Sequence, residues 1–308
     1  MNTTEELSLE TDETKPDALL EEPPPPETLR SSLFRQFVLM PLFVVIVFAI
    51  VVGSILLLGR IATEARSARE CLIEVKTSSG TARWQAALNL VHELEKTQHS
   101  PEVKELVPEI ESILRQAEGD DEDKVRLRFF MLQALGWVAD EEAMEFLAAY
   151  CRDPVVDVRG AALMSAMKVS NARAVPLLVV ALKDEEPEIR SQAALQLGYL
   201  KAPTGIPPLV VALNDPKEDV KLNAAWALAE CGHGSAIPAL TRGLERDYLA
   251  AIYGKDPGKT RTALCQSIAG LVKLGHSEAV ATIRRISAED PDLKVRDEAI
   301  KALSAFGK

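Results

Sequence analysis

The chain has 308 residues, 47% hydrophobic, 26% charged and 5% aromatic, with net charge −11 and mean hydropathy +0.02. That is enough chain to bury a sizeable core in one or two domains. The acidic balance excludes nucleic-acid binding through a basic surface. Cys71, Cys151, Cys231 and Cys265 form no CxxC pair, which excludes a zinc ribbon or dithiol redox motif.

Residues 1–36 hold nine acids and three bases, together −6 of the net −11, and include the run Pro23-Pro24-Pro25-Pro26. With little to bury and a charge excess, this tail is expected to be disordered, with a short polyproline stretch. From Phe37 to Gly59 no residue is charged, and Val, Ile, Leu and Phe dominate. As a helix of ~1.5 Å per residue this stretch matches a ~30 Å hydrocarbon core, so 37–59 is expected to be a single membrane span. A cleaved signal peptide would carry an apolar region of about 7–15 residues behind a short basic segment, not a long acidic tail. Arg60, Arg66, Arg69 and Lys76 on the C-terminal flank outnumber Arg30 and Arg35, which tips the remainder of the chain toward the cytoplasmic side. Residues 60–77 then read as a juxtamembrane helical linker.

From residue 78 the composition shifts to Ala, Leu, Glu and Arg at helical spacing, and a repeat emerges. Leu127-Arg128, Val158-Arg159-Gly160-Ala161-Ala162, Ile189-Arg190-Ser191-Gln192-Ala193-Ala194 and Val220-Lys221-Leu222-Asn223-Ala224-Ala225 place basic anchors at 128, 159, 190 and 221, a period of 31. Arg83 and Arg296 anchor further copies. A degenerate copy has Leu264 in the anchor slot. Six residues before the anchors stand Glu122, Asp153, Asp184, Asp215 and Asp290. Such an acid can satisfy turn N–H groups and pair with the base of a neighbouring repeat, forming a ladder. Pro176, Pro207 and Pro238, again 31 apart, are expected in the first turns of the preceding helices.

The Pro-Leu of the first helix, the Asp turn, and Val-Arg-x-x-Ala-Ala-x-x-Leu-Gly of the second resemble the HEAT repeat family, in its short phycobilisome-lyase-like form. The resemblance covers residues 78–308. It implies an all-α fold, a right-handed α-solenoid of helix pairs in which each repeat contacts mainly its neighbours. It also implies that the second helices line a concave face. Such arrays mostly serve as binding scaffolds. A lyase-like or metal-dependent HEAT-repeat enzyme is the alternative.

The anchors break period twice. Extra residues fall in 95–121, expected as a longer hairpin, and in 246–259, expected as a loop carrying Tyr248, Tyr253 and Lys255. Insertions in solenoids usually lie at one edge and can carry function. The chemical inventory is thin. There is no phosphate-binding GxxxxGK[ST], no strand-linked GxGxxG and no GxSxG elbow. His92-Glu93 is the one His-Glu pair, too few for a two-iron site. His233 and His276 follow Gly232 and Gly275 at equivalent turns, which suggests capping. No catalytic residue, metal or cofactor is therefore expected.

In each second helix, positions +3, +4 and +7 from the anchor should face the core, leaving +2, +6 and +9 on the opposite stripe. That stripe carries Phe130, Trp137, Lys168, Tyr199 and Glu230, and large aromatics on a polar groove are typical binding anchors. Trp84 and Trp226 read as core. The expectation is a membrane-tethered scaffold that holds a protein partner, possibly itself a membrane complex, on this groove. The 246–259 segment is a second candidate.

Overall fold

The structure, a computed structural model, describes residues 40–62, 67–97, 101–254 and 256–306. The tail 1–36 and Lys255 lie outside the described residues. Every element among the described residues is helical, and two units divide at residues 65 and 66.

The first unit contains α1 (Met40–Ala62), whose described side chains, 42–54, are mostly exposed. Among the described residues no helix is long and apolar enough to cross a membrane. This corrects the expected single-pass membrane protein and, with it, the cytoplasmic placement. Residues 37–39 fall outside the described residues.

The second unit starts one helix earlier than residue 78. α2 (Ala68–Thr77) opens with a capping box, in which Ser67 Oγ accepts from the Glu70 N–H and the Glu70 carboxylate accepts from the Ser67 N–H. It buries Cys71, Leu72 and Val75 in the same core as α3 (Gly80–Thr97). α4 (Pro101–Lys104) is one turn. α5 (Val107–Gln116) packs on α6 (Glu122–Val138), so ten residues of the first long interval form the leading helix of the next pair. The succeeding pairs are α7 (Met144–Tyr150) with α8 (Val156–Val169), α9 (Asn171–Ala181) with α10 (Pro187–Leu200), and α11 (Ile206–Ala212) with α12 (Glu218–Glu230). α13 (Ile237–Arg242) is separated by α14 (Arg246–Tyr253) from its partner α15 (Pro257–Lys273), and α16 (Val280–Glu289) pairs with α17 (Leu293–Phe306). Pro176 sits inside α9 rather than in its first turn. α9 begins directly at Asn171, where the next two repeats first make short 3-10 turns at Pro203–Gly205 and Gly234–Ala236.

The core follows the repeat. Positions +3, +4 and +7 are Met131, Leu132 and Leu135 in α6, Ala162, Leu163 and Ala166 in α8, Ala193, Ala194 and Leu197 in α10, and Ala224, Ala225 and Leu228 in α12, all buried. The turns form the expected ladder. Arg159 Nη2 donates to Asp184 at 2.8 Å, and Arg190 donates to Asp215 from Nε and Nη2 at 2.7 and 3.0 Å. Each Arg also donates to its own turn, Arg159 to the Asp153 carbonyl and Arg190 to the Asp184 carbonyl. Each Asp accepts a backbone N–H two residues on, at 2.9 Å in Asp153, Asp184, Asp215 and Asp290. One guanidinium thus ties two successive turns together. The Arg128–Asp153 rung is looser, at 3.7 Å.

The ladder explains the second long interval. Leu264 fills the anchor slot and is buried, so it offers Asp290 no charge. Arg246, from the extra helix α14, supplies it instead, bonding Asp290 at 3.1 and 2.6 Å from Nε and Nη2. The segment expected as a loop is therefore a docked helix whose Leu249 is fully buried. Arg246→Ala leaves the Asp290 carboxylate unpaired at 5% side-chain exposure. Arg246 itself is 35% exposed, which screens the pair, so the expected loss is about 1–2 kcal/mol, read as a lower urea midpoint.

Candidate binding face

Two of the close pairs of second helices, α6 with α8 and α10 with α12, meet through small residues. A Cβ on Gly136 would lie 2.9 Å from Ser165 Cα, and one on Gly198 would lie 2.8 Å from Ala227 Cα. That contact buries the +6 residues Ala134, Ser165 and Ala227. The expected stripe is thus displaced. Position +6 faces the adjacent repeat, and in α8 the open face runs through positions −2, +5 and +9, which are Asp157, Met164 and Lys168.

Between α8 and α10 the close approach is missing. α8 carries Met167 at the position that Gly136 and Gly198 hold in their helices, and the two helices touch far less than the pairs on either side. A groove of about 400 Å³ opens there, floored by Phe129, Val156, Ala161, Met164 and Ile189. Gln196 Nε2 of α10 reaches Met164 Sδ of α8 at 3.0 Å. The anticipated contacts fall near this groove or farther along the same row. Lys168 Nζ sits 3.7 Å from the Trp137 ring centroid, a cation–π contact at the groove wall. Desolvation lowers the pKa of this ammonium, although the side chain as a whole is exposed. Phe130 is half-buried and stacks on Trp84 at 6.1 Å, so it packs between repeats. Tyr199 is 59% exposed and meets Trp226 edge-on at 4.8 Å. Glu230 accepts from Lys273 at 2.7 Å and is an ion-pair partner of Lys201.

A second groove, about 610 Å³, lies beside α14. Tyr248 and Tyr253 both line it, half-buried. The Tyr248 hydroxyl donates to Glu218 at 2.5 Å, and Arg242 covers its ring at 4.2 Å. Burial and the Glu218 bond raise the Tyr248 pKa, and burial pushes Tyr253 up to about 12, so both phenols stay neutral. This groove is structurally committed: its most prominent ring already holds a partner.

The four cysteines form no disulfide, and burial raises Cys151 to about 12 and lifts Cys231 and Cys265, which disfavours the thiolate. At the equivalent turns the cap is made by the backbone rather than the imidazole. Gly232 and Gly275 adopt φ of +72° and +64°, and the His233 and His276 N–H groups bond the Leu228 and Leu271 carbonyls. Among the described residues no group of three or more His, Cys, Asp or Glu could hold a metal ion.

The profile of HEAT repeats matches residues 107–184 and 175–252. No curated protein matches the chain. Among solved structures, the CpcE–CpcF complex of phycocyanin lyase from Nostoc sp. PCC7120 is 19% identical over 79% of this chain and 94% of that one, with TM-score 0.51. YibA of Escherichia coli is 16% identical over 77% and 81%, with TM-score 0.50. At these identities the likeness shows the fold, a helical repeat array, and nothing finer. Human deoxyhypusine hydroxylase covers 81% of this chain at a TM-score of 0.32, which carries no argument.

Proposed function

We propose that this chain is a protein-binding scaffold whose second-helix face, the concave side expected for a HEAT array, holds a protein partner. The observation that carries this reading is the break in stacking between α8 and α10. There an apolar floor is open beside Lys168, which is held in place over the Trp137 ring. Aromatic and cationic groups already fixed in place lose little entropy on binding, as interface anchors require. Tyr199, largely exposed, extends the same row one repeat further.

The test places a photocrosslinking amino acid singly at Met164 and at Tyr199, and as controls at Val180 and Val211, exposed on the first helices α9 and α11. Protein adducts from the Met164 and Tyr199 positions, and none from the controls, are the expected result. Adducts only from Val180 and Val211 would overturn the assignment. Stoichiometric iron or zinc in the purified protein would replace the scaffold with a metal-dependent activity.

A further inference from the structure

The α8–α10 groove has an electrostatic direction. Lys168, near the C-terminal end of α8, stands at one end with its ammonium held over the Trp137 ring. At the other end are Asp157, in the first turn of α8, and Glu188, in the first turn of α10. Both acids are exposed, both line the groove, and neither has a hydrogen bond or ion pair among the described residues. Their neighbours differ: Glu218 is paired with Lys221, and Asp184 with Arg159. Carboxylates in a first helical turn favour the helix dipole, which accounts for their presence in α8 and α10. It does not account for their flanking one apolar cleft at the seam where, among the described residues, adjacent second helices touch least.

From the apolar floor and this unpaired acidic end, and resting on the scaffold reading above, we infer that the groove takes a short extended peptide segment carrying Lys or Arg beside apolar side chains. The basic group lies between Asp157 and Glu188, and the apolar side chains enter the Phe129, Met164 and Ile189 floor. Eleven helical residues separate Asp157 from Lys168, about 16 Å along the axis, a length filled by roughly five extended residues. Two carboxylates around one cation give a charge-assisted contact that weakens with salt, while the apolar contribution does not.

The test uses the full chain and three labelled ten-residue synthetic peptides, followed by fluorescence anisotropy. One carries Lys-Arg next to Leu-x-Leu, a second replaces the bases by Glu, and a third replaces the leucines by Ser. The first is expected to bind at least tenfold tighter than either other peptide and to weaken as salt rises. Asp157→Asn with Glu188→Gln should cost it about tenfold, and Met164→Lys should abolish binding. Circular dichroism of each variant confirms folding. Equal binding of the Glu peptide, indifference to the acid-neutralising pair, or no binding of any peptide overturns the inference. If crosslinks from Met164 still capture a protein in those cases, the scaffold reading stands and only the partner chemistry falls. If neither peptides nor crosslinks engage the groove, both fall.

Discussion

Arg190→Ala is expected to destabilise the chain by about 3 kcal/mol at neutral pH. Arg190 is 11% exposed and its partner Asp215 is 8% exposed. Truncation removes the bidentate bond to Asp215 and the bonds from Nη1 to the Asp184 and Glu185 carbonyls. What remains is a buried carboxylate whose cation is gone, and that residual charge, more than the lost attraction, sets the cost. Urea unfolding reads the total. Amide exchange in α10 and α12 locates it, because a repeat array transmits the loss mainly to neighbouring repeats.

The same rung predicts a pH signature. Burial alone would raise the Asp215 pKa, but the hydrogen bond from Arg190 and the one from the Lys217 N–H outweigh it, so the folded pKa is lowered. A carboxyl with a depressed folded pKa contributes stability that is fully present above its unfolded value, near 3.9, and is lost as pH falls through the folded value. In the variant, burial without the cation raises the Asp215 carboxyl instead, so the gap between the native chain and Arg190→Ala is expected to narrow steadily as pH falls from neutral, starting above the unfolded value and continuing below it as the native Asp215 is protonated. A gap that is unchanged at low pH would show that lost packing of the arginine stem, not its charge, dominates.

Why the ladder was legible and the face was not comes down to what a period reports. Acid and base six residues apart, recurring every 31, state both partners of a rung, and Asp184 and Asp215 sit where that spacing places them. The +3, +4, +7 core was legible for the same reason. A helical period cannot say which flank of the exposed arc meets the next repeat. Small residues at +6 (Ala134, Ser165 and Ala227), with Gly136 and Gly198 two positions on, were the readable sign that this flank is an interface. The extra helix α14 also left a trace. Tyr248, Leu249, Ile252 and Tyr253 follow a helical spacing that the Gly254–Pro257 turn signals obscured. Arg246 as the substitute rung was beyond reach, because its partner Asp290 is 44 residues away. The groove between α8 and α10 required knowing that one pair of neighbours fails to close, a property of two helices together and not of either sequence.

Gly198→Ala is expected to destabilise by about 1–3 kcal/mol, although alanine is the better helix former by about 1 kcal/mol. The added Cβ would lie 2.7 Å from Trp226 Cζ3, 2.8 Å from Ala227 Cα and 2.9 Å from Ala227 Cβ. Two of those atoms belong to the α12 backbone residue itself, so no rotamer change relieves the contact, and α10 and α12 must separate. Separation also disturbs the edge-on Tyr199–Trp226 contact, and a shift in tryptophan fluorescence should accompany the loss of stability. Gly160→Ala is the matched control in α8. There the new Cβ would lie 3.1 Å from Gln192 Oε1, the end of a side chain that can swing away, and no backbone atom crowds it. Propensity then wins, and a gain of about 0.5–1 kcal/mol is expected. Opposite signs from the same substitution would measure directly that second helices are locked together at α10–α12 and parted at α8–α10. A loss of equal size at both positions would mean that the seam is closed in solution, and the groove argued above would have no room for a ligand.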